Sequence, residues 1–173
     1  MKRTNVLKTI CTLLALTATG CHHSIDINFN RVPRLNIYVP FTTEGVWDSY
    51  GAKAPLDARR FIRPSEPAGF PYQDYSFTGY GGVLQLCDLH GTLRAYDLSC
   101  PVECQRDVRV VIDYSTNLAR CPKCGSTYDV FLLDVSAPLA GAPVSGPALT
   151  SGYGLRRFNV VFGVDGRYAL ITN

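Results

Sequence analysis

The sequence predicts a small antiparallel all-β domain. Short runs of β-branched and aromatic residues recur along the chain, and turn-forming residues, 15 Gly and 11 Pro among 173, separate them. From Leu35 onward no long segment places apolar residues at helical spacing. Hydrophobic residues make up 46% of the chain and charged residues 18%, a composition typical of a folded globular protein rather than a disordered one.

The first twenty residues predict an export signal. Lys2 and Arg3 give a positive start, an apolar run from Ile10 to Ala18 follows, and small residues precede Cys21. The apolar run is far shorter than the roughly 20 residues that a spanning helix needs. The small triplet before Cys21 resembles the lipobox of bacterial lipoproteins, which implies a signal over residues 1–20 and lipidation of Cys21. The alternative is an ordinary signal peptide cut near Gly20.

The mature chain is therefore expected in the cell envelope, anchored by lipid on the periplasmic side or in the outer membrane. Residues 21–34 are polar and mixed, which predicts a lipidated N-terminus and a tether. Three of the 17 basic residues lie in the signal, so the remaining 14 balance the 14 acidic residues. A neutral body lacks the Lys and Arg clusters that neutralise phosphates, and we expect no nucleic-acid partner.

The β domain is expected over residues 35–173. The turn His90-Gly91 and the strong hairpin signal Asp165-Gly166 separate some of its strands. The segment from Pro55 to Ile62 predicts one short helical turn, and Pro64 to Tyr80 predicts a loop. The expected strands are LNIYVPF, GGVLQLCDL, TLRAYDL, VRVVIDY, TYDVFLLDV, RRFNVVFGV and RYALITN.

Five cysteines follow the signal and Cys21. Cys87 lies inside an apolar strand, where a lone Cys is usually a small buried side chain. Cys100 and Cys104 form one closely spaced pair, and Cys121 and Cys124 form another. Two short Cys loops at the tips of adjacent hairpins bring four sulfurs to one point, which suits a tetrahedral thiolate site.

Two other uses of these thiols remain open at this stage. In an exported protein the same pairs could form structural disulfides. Cys-Pro-Lys-Cys also has the spacing of thioredoxin-like redox motifs. Such motifs begin a helix, however, whereas Cys124 is followed by Gly125-Ser126 and a predicted strand. A metal or cluster site is the interpretation that we carry forward, with disulfides and a catalytic thiol as the alternatives.

About half of the chain resembles a Rieske [2Fe–2S] domain of the bacterial lipoprotein type. The similarity lies in AYDLSCPVEC, CPKCGSTYDVF and the segment from GPAL to the C-terminus. In that family two loops each supply one Cys and one His, as Cys-x-His and as Cys-x-x-His-Gly-Ser followed by Tyr. Cys100 and Cys121 match the two Cys ligands. Ser126 and Tyr128 match the hydroxyls that bond the cluster sulfide and a ligand sulfur, and Gly146 to Leu149 resembles the loop that covers the cluster.

The ligand set departs from the family. Val102 and Cys124 stand where the family has its two His ligands, and Val cannot bind a metal. Cys104, two residues past the lost His, could supply the fourth ligand. The positions of the family's inter-loop disulfide fall at Gln105 and Lys123.

The resemblance implies a Rieske-like domain over residues 35–173, with metal loops at about 97–130. It implies a [2Fe–2S] cluster held by Cys100, Cys104, Cys121 and Cys124, with electron transfer to an unidentified redox or envelope partner. Zinc is the alternative cofactor. The alternative function is a non-redox envelope lipoprotein with a degenerate Rieske fold held by structural zinc or disulfides. No stand-alone catalytic activity is expected.

Overall fold

The computed structural model describes Phe29 and residues 31–134, 139–163 and 168–173. The predicted signal, Cys21, most of the tether and the Asp165-Gly166 turn lie outside these residues. The described part is mostly antiparallel β structure with two short helices, which confirms the predicted small all-β domain. Among the described residues, no helix is long and apolar enough to cross a membrane.

Eleven strands and two helices can be assigned within the described residues, and they form two sheets. In chain order they are β1 (Ile37–Pro40), α1 (Glu44–Tyr50), β2 (Ala58–Phe61), β3 (Phe77–Thr78), β4 (Val83–Cys87), β5 (Leu93–Asp97), β6 (Val111–Asp113), β7 (Leu118–Arg120), β8 (Thr127–Asp129), β9 (Ala142–Ser145), α2 (Pro147–Ser151), β10 (Arg157–Phe162) and β11 (Ala169–Thr172).

The larger sheet has seven strands in the order β2-β4-β5-β10-β11-β1-β3. The sheet curls so far that its two edge strands come close to each other. The N–H of Arg63, just past β2, donates to Thr78 Oγ1 in β3 at 3.4 Å. Its inner face buries an aromatic core in which Phe41 contacts three other rings edge to face. We call this sheet and its aromatic core the base.

The smaller sheet has four strands in the order β6-β7-β8-β9 and lies on the outer face of the base. Side chains alternate along β5, so that Ala95 faces the aromatic core while Tyr96 faces the smaller sheet. The second core contains Leu84, Leu98, Tyr128, Cys100 and Cys121. Because the two Cys loops connect β5 to β6 and β7 to β8, the smaller sheet positions both of them. We call this sheet, its loops and α2 the cap.

Several predicted strands are confirmed, and the prediction for one segment is wrong. GGVLQLCDL and TLRAYDL form β4 and β5, which pair from Val83↔Asp97 to Cys87↔Leu93 around the predicted His90-Gly91 turn. The helical turn expected from Pro55 to Ile62 is wrong, because Ala58–Phe61 is β2 and pairs with β4. This pairing joins distant residues and overrides the local signal.

Five further elements are absent from the sequence expectation: β3, β7, β9, α1 and α2. The segment from Pro64 to Tyr80 is mainly loop, as expected, but Phe77–Thr78 forms the edge strand β3. The helix α1 is not predicted at all. Thr43 caps it by accepting the N–H of Val46 at 3.2 Å.

The end of the predicted tether packs against the domain. Val32 is buried, and its carbonyl accepts a bond from Arg156 Nε at 2.9 Å. The carbonyl of Arg31 accepts a bond from Cys104 Sγ at 3.3 Å. The folded unit therefore includes residues before Leu35.

Candidate metal centre

Three cysteine sulfurs converge between the two loops of the cap. The Sγ atoms of Cys100, Cys121 and Cys124 all lie within 4.8 Å of one another, and Cys100 and Cys124 are 3.6 Å apart. Cys100 and Cys121 are fully buried, while Cys124 is half-buried. Three thiols in this arrangement can bind a metal ion.

Backbone hydrogen bonds shape each loop around its first cysteine. The N–H of Cys104 donates to the carbonyl of Cys100 at 2.8 Å, which closes the first loop as a turn. In the second loop the N–H of Gly125 donates to the carbonyl of Cys121 at 3.0 Å, and Gly125 has a φ of +73°. Glycine adopts this left-handed backbone without a steric penalty, so the loop can fold back and turn the Cys124 sulfur towards Cys100.

One side chain ties the two loop tips together. Lys123 Nζ lies 2.7 Å from Glu103 Oε2 and donates to Gln105 Oε1 at 3.3 Å. About half of the Lys123 side chain is exposed, so solvent screens the ion pair and it contributes little energy to the contact between the loops. Sequence reasoning missed this clamp, because Lys and Glu on loops are usually solvated.

Two buried hydroxyls contact the sulfur group. Tyr128 Oη lies 3.5 Å from Cys100 Sγ, and Ser126 Oγ accepts a bond from Cys124 Sγ at 3.2 Å. Ser126 Oγ also accepts the N–H of Ala148 at 3.0 Å, which docks α2 on the second loop. A side chain at Gly146 would come within 2.9 Å of the Ser126 Cα, so glycine is required for this close approach.

The surroundings shift the pKa values of Cys100 and Cys124 in opposite directions. Burial raises the pKa of Cys100 to about 12. Partial burial acts in the same direction on Cys124, but hydrogen bonds with Ser126 and the neighbouring thiols outweigh it and lower the pKa of Cys124. Burial and the adjacent Cys100 raise the pKa of Tyr128. The site therefore holds a neutral thiol at Cys100 unless a cation compensates the thiolate charge.

Cys104, the predicted fourth ligand, lies outside the three-sulfur group. Its backbone is left-handed, with a φ of +51°, and its thiol bonds the carbonyl of Arg31. Cys87 is fully buried in β4, as expected for a lone Cys in an apolar strand. All five described cysteines carry free thiols.

Asp97 supports the start of the first loop, a role that the sequence analysis does not assign. Its buried carboxylate accepts the backbone N–H groups of Tyr80, Gly81 and Ser99 at 2.8–3.1 Å. The Asp-x-Ser pattern at a strand end is a signal that could have indicated such a turn, since Asp often bonds the backbone two residues on.

The chain matches no protein-family model and no curated protein sequence at a significant level. Its site is therefore interpreted from its own geometry and chemistry.

Proposed function

We propose that this protein is an exported, lipid-anchored envelope protein with a Rieske-like fold, whose Cys100, Cys121 and Cys124 bind one metal ion. The close approach of three sulfurs carries the proposal. Zn–S bonds of about 2.3 Å at tetrahedral angles place two sulfurs about 3.8 Å apart. The 3.6 Å between Cys100 and Cys124 is close to that value. Zinc is the ion that we propose, in a structural role that joins the two loops of the cap.

Three contacts support the Rieske-like part of the proposal. Ser126 and Tyr128, which match hydroxyls of that family, both contact sulfurs of the site. Gln105 and Lys123, at the positions of the family's inter-loop disulfide, are joined by a hydrogen bond. These contacts are those expected if the two loops face each other as they do in that family.

A [2Fe–2S] cluster with electron transfer is the second candidate. The contact between Tyr128 and Cys100 favours it, because a zinc site has no need of a hydroxyl at a ligand sulfur. The ligand geometry is less favourable. A cluster takes two ligands on each of two irons, and ligands on opposite irons lie farther apart than ligands that share one ion. A cluster would also require Cys104 to leave Arg31 and turn inward.

Export and lipidation rest on the sequence, since residues 1–20 and Cys21 lie outside the described residues. The proposal predicts a lipidated Cys21 at the mature N-terminus. Mass spectrometry of the N-terminal peptide from membrane fractions tests it. An unmodified Cys21 in a soluble fraction would contradict the anchor while leaving the metal site unaffected.

The metal site is tested by elemental analysis and visible spectra of the full chain purified without oxygen. We expect about one zinc per chain and no visible colour. Cys124→Ser is expected to lose the zinc. Cys87→Ser is the matched control, because Cys87 is buried in the base and should be dispensable for metal binding.

Cys104→Ser separates the two candidates. It should keep the zinc of a three-thiolate site and abolish a cluster that uses Cys104. If the protein contains about two iron and two sulfide per chain and has a colour that bleaches on reduction, the cofactor is the [2Fe–2S] cluster and not zinc. A metal-free protein with the thiols paired as disulfides would contradict both candidates.

A further inference from the structure

A cavity opens between two strands of the base, away from the cysteines. The strands β5 and β10 pair only at Arg157↔Tyr96 and Phe158↔Ala95, and then they separate. Between Leu93 and Val161 this separation leaves a cavity of about 780 Å³. Its size falls within the range of small-molecule binding pockets, roughly 300–1,000 Å³.

Positive charge dominates the lining of this cavity. Arg94, Arg156 and Arg157 line it, and none of the described residues that line it is acidic. Arg94 is paired with Asp88 at 2.7 Å. Within the described ranges no carboxylate lies within 4.0 Å of Arg156 or Arg157. Two guanidinium charges of the cavity therefore have no compensating carboxylate among the described residues.

Both unpaired arginines are held in place. Arg156 donates to the carbonyl of Val32, and Arg157 lies 5.3 Å from the centre of the Phe29 ring. A guanidinium that is already oriented loses less entropy when it binds an oxyanion through two parallel N–H donors. An adjoining cavity of about 220 Å³ shares these two arginines and adds Arg34 and Asn173.

We infer that this cavity is a binding site for a small organic oxyanion, a phosphate or carboxylate group attached to an apolar body. Arg156 and Arg157 bind the oxyanion. Phe29 and Val161 contact the apolar part. The inference uses none of the cysteines and is independent of the proposed metal site.

Calorimetric titration of the full chain with phenyl phosphate and inorganic phosphate tests the site. We expect both anions to bind, and phenyl phosphate to bind more tightly because of its ring. Arg157→Gln should weaken binding about tenfold, the loss expected for a hydrogen bond to a charged group. Arg120→Gln is the matched control, because Arg120 is an exposed arginine of β7 outside the cavity lining.

Failure of both anions to bind at millimolar concentration overturns the inference. So does an equal loss of affinity in Arg120→Gln.

Discussion

The base and the cap differ in what holds them together. In the base, β4, β5 and β10 have five or six residues each, and they enclose an aromatic core. In the cap, β6, β7 and β8 have three residues each, and the second core beneath them combines apolar side chains with the thiols of Cys100 and Cys121. Both regions therefore bury an apolar core, but the core under the cap also buries thiols that need a hydrogen-bond or metal partner.

This difference indicates where a bound ion would act. A metal that joins the two Cys loops would contribute mainly to the stability of the cap, because both loops belong to the cap. The base should fold and remain folded whether or not the ion is bound. Substitutions in the two regions should therefore separate loss of global stability from loss of metal.

The largest effect is expected from Phe41→Ala in the base. Phe41 is fully buried and contacts Trp47, Phe61 and Phe70 at ring-centre distances of 4.8, 5.4 and 5.5 Å. Loss of the ring should lower the free energy of unfolding by about 3–5 kcal/mol. Denaturant titration measures this loss. The metal content of the folded fraction should not change, because Phe41 is outside the second core.

Phe77→Ala is the control for this change. Phe77 lies in the edge strand β3 with 47% of its surface exposed, so its loss should cost much less. Equal costs for the two substitutions would show that the aromatic core is not the main source of stability in the base. Loss of metal from folded Phe41→Ala would show that base and cap are not separable.

The fold of the base is largely readable from the sequence because its strands carry strong local signals. GGVLQLCDL and TLRAYDL have strand-forming residues on both sides of a Gly turn, and they form the hairpin of β4 and β5. The helix α1 is missed because seven residues are too few for a clear periodicity, although Thr43 and Glu44 provide a capping signal. The strand β2 is missed because its pairing with β4 is long-range.

A smaller effect is expected from Ser126→Ala in the cap. Ser126 Oγ accepts the N–H of Ala148 and the thiol of Cys124, and it is fully buried. Its removal leaves the Ala148 N–H unpaired, which should cost about 1–3 kcal/mol. Because Ser126 also orients Cys124, zinc affinity should fall together with stability. Equilibrium unfolding and competition with a chelator measure the two quantities.

Ser151→Ala is the matched control, since Ser151 is exposed at the end of α2. It should change stability by less than about 0.5 kcal/mol. If Ser126→Ala destabilised the cap but left zinc affinity unchanged, Ser126 would hold α2 without orienting Cys124.

The sequence places the candidate metal centre well but does not determine its ligand number. The spacing of the two Cys pairs predicts that their loops meet, and three of the four sulfurs do meet. Cys104 lies elsewhere because its left-handed backbone directs the thiol to the carbonyl of Arg31, a residue 73 positions away. No local pattern encodes that contact. The clamp of Lys123 on Glu103 is equally nonlocal.

The smallest effect is expected from Tyr128→Phe, and it distinguishes the two proposed cofactors. The change removes only the hydroxyl that lies 3.5 Å from Cys100 Sγ and should cost about 1 kcal/mol. A zinc site should keep its metal content and nearly all of its affinity. A cluster would lose a hydrogen bond that stabilises its reduced, more negative state, so its reduction potential should fall. Tyr114→Phe, at a tyrosine that is 63% exposed, should change neither quantity. A large loss of zinc from Tyr128→Phe alone would mean that the hydroxyl itself supports the ion, and the three-thiolate description would then be incomplete.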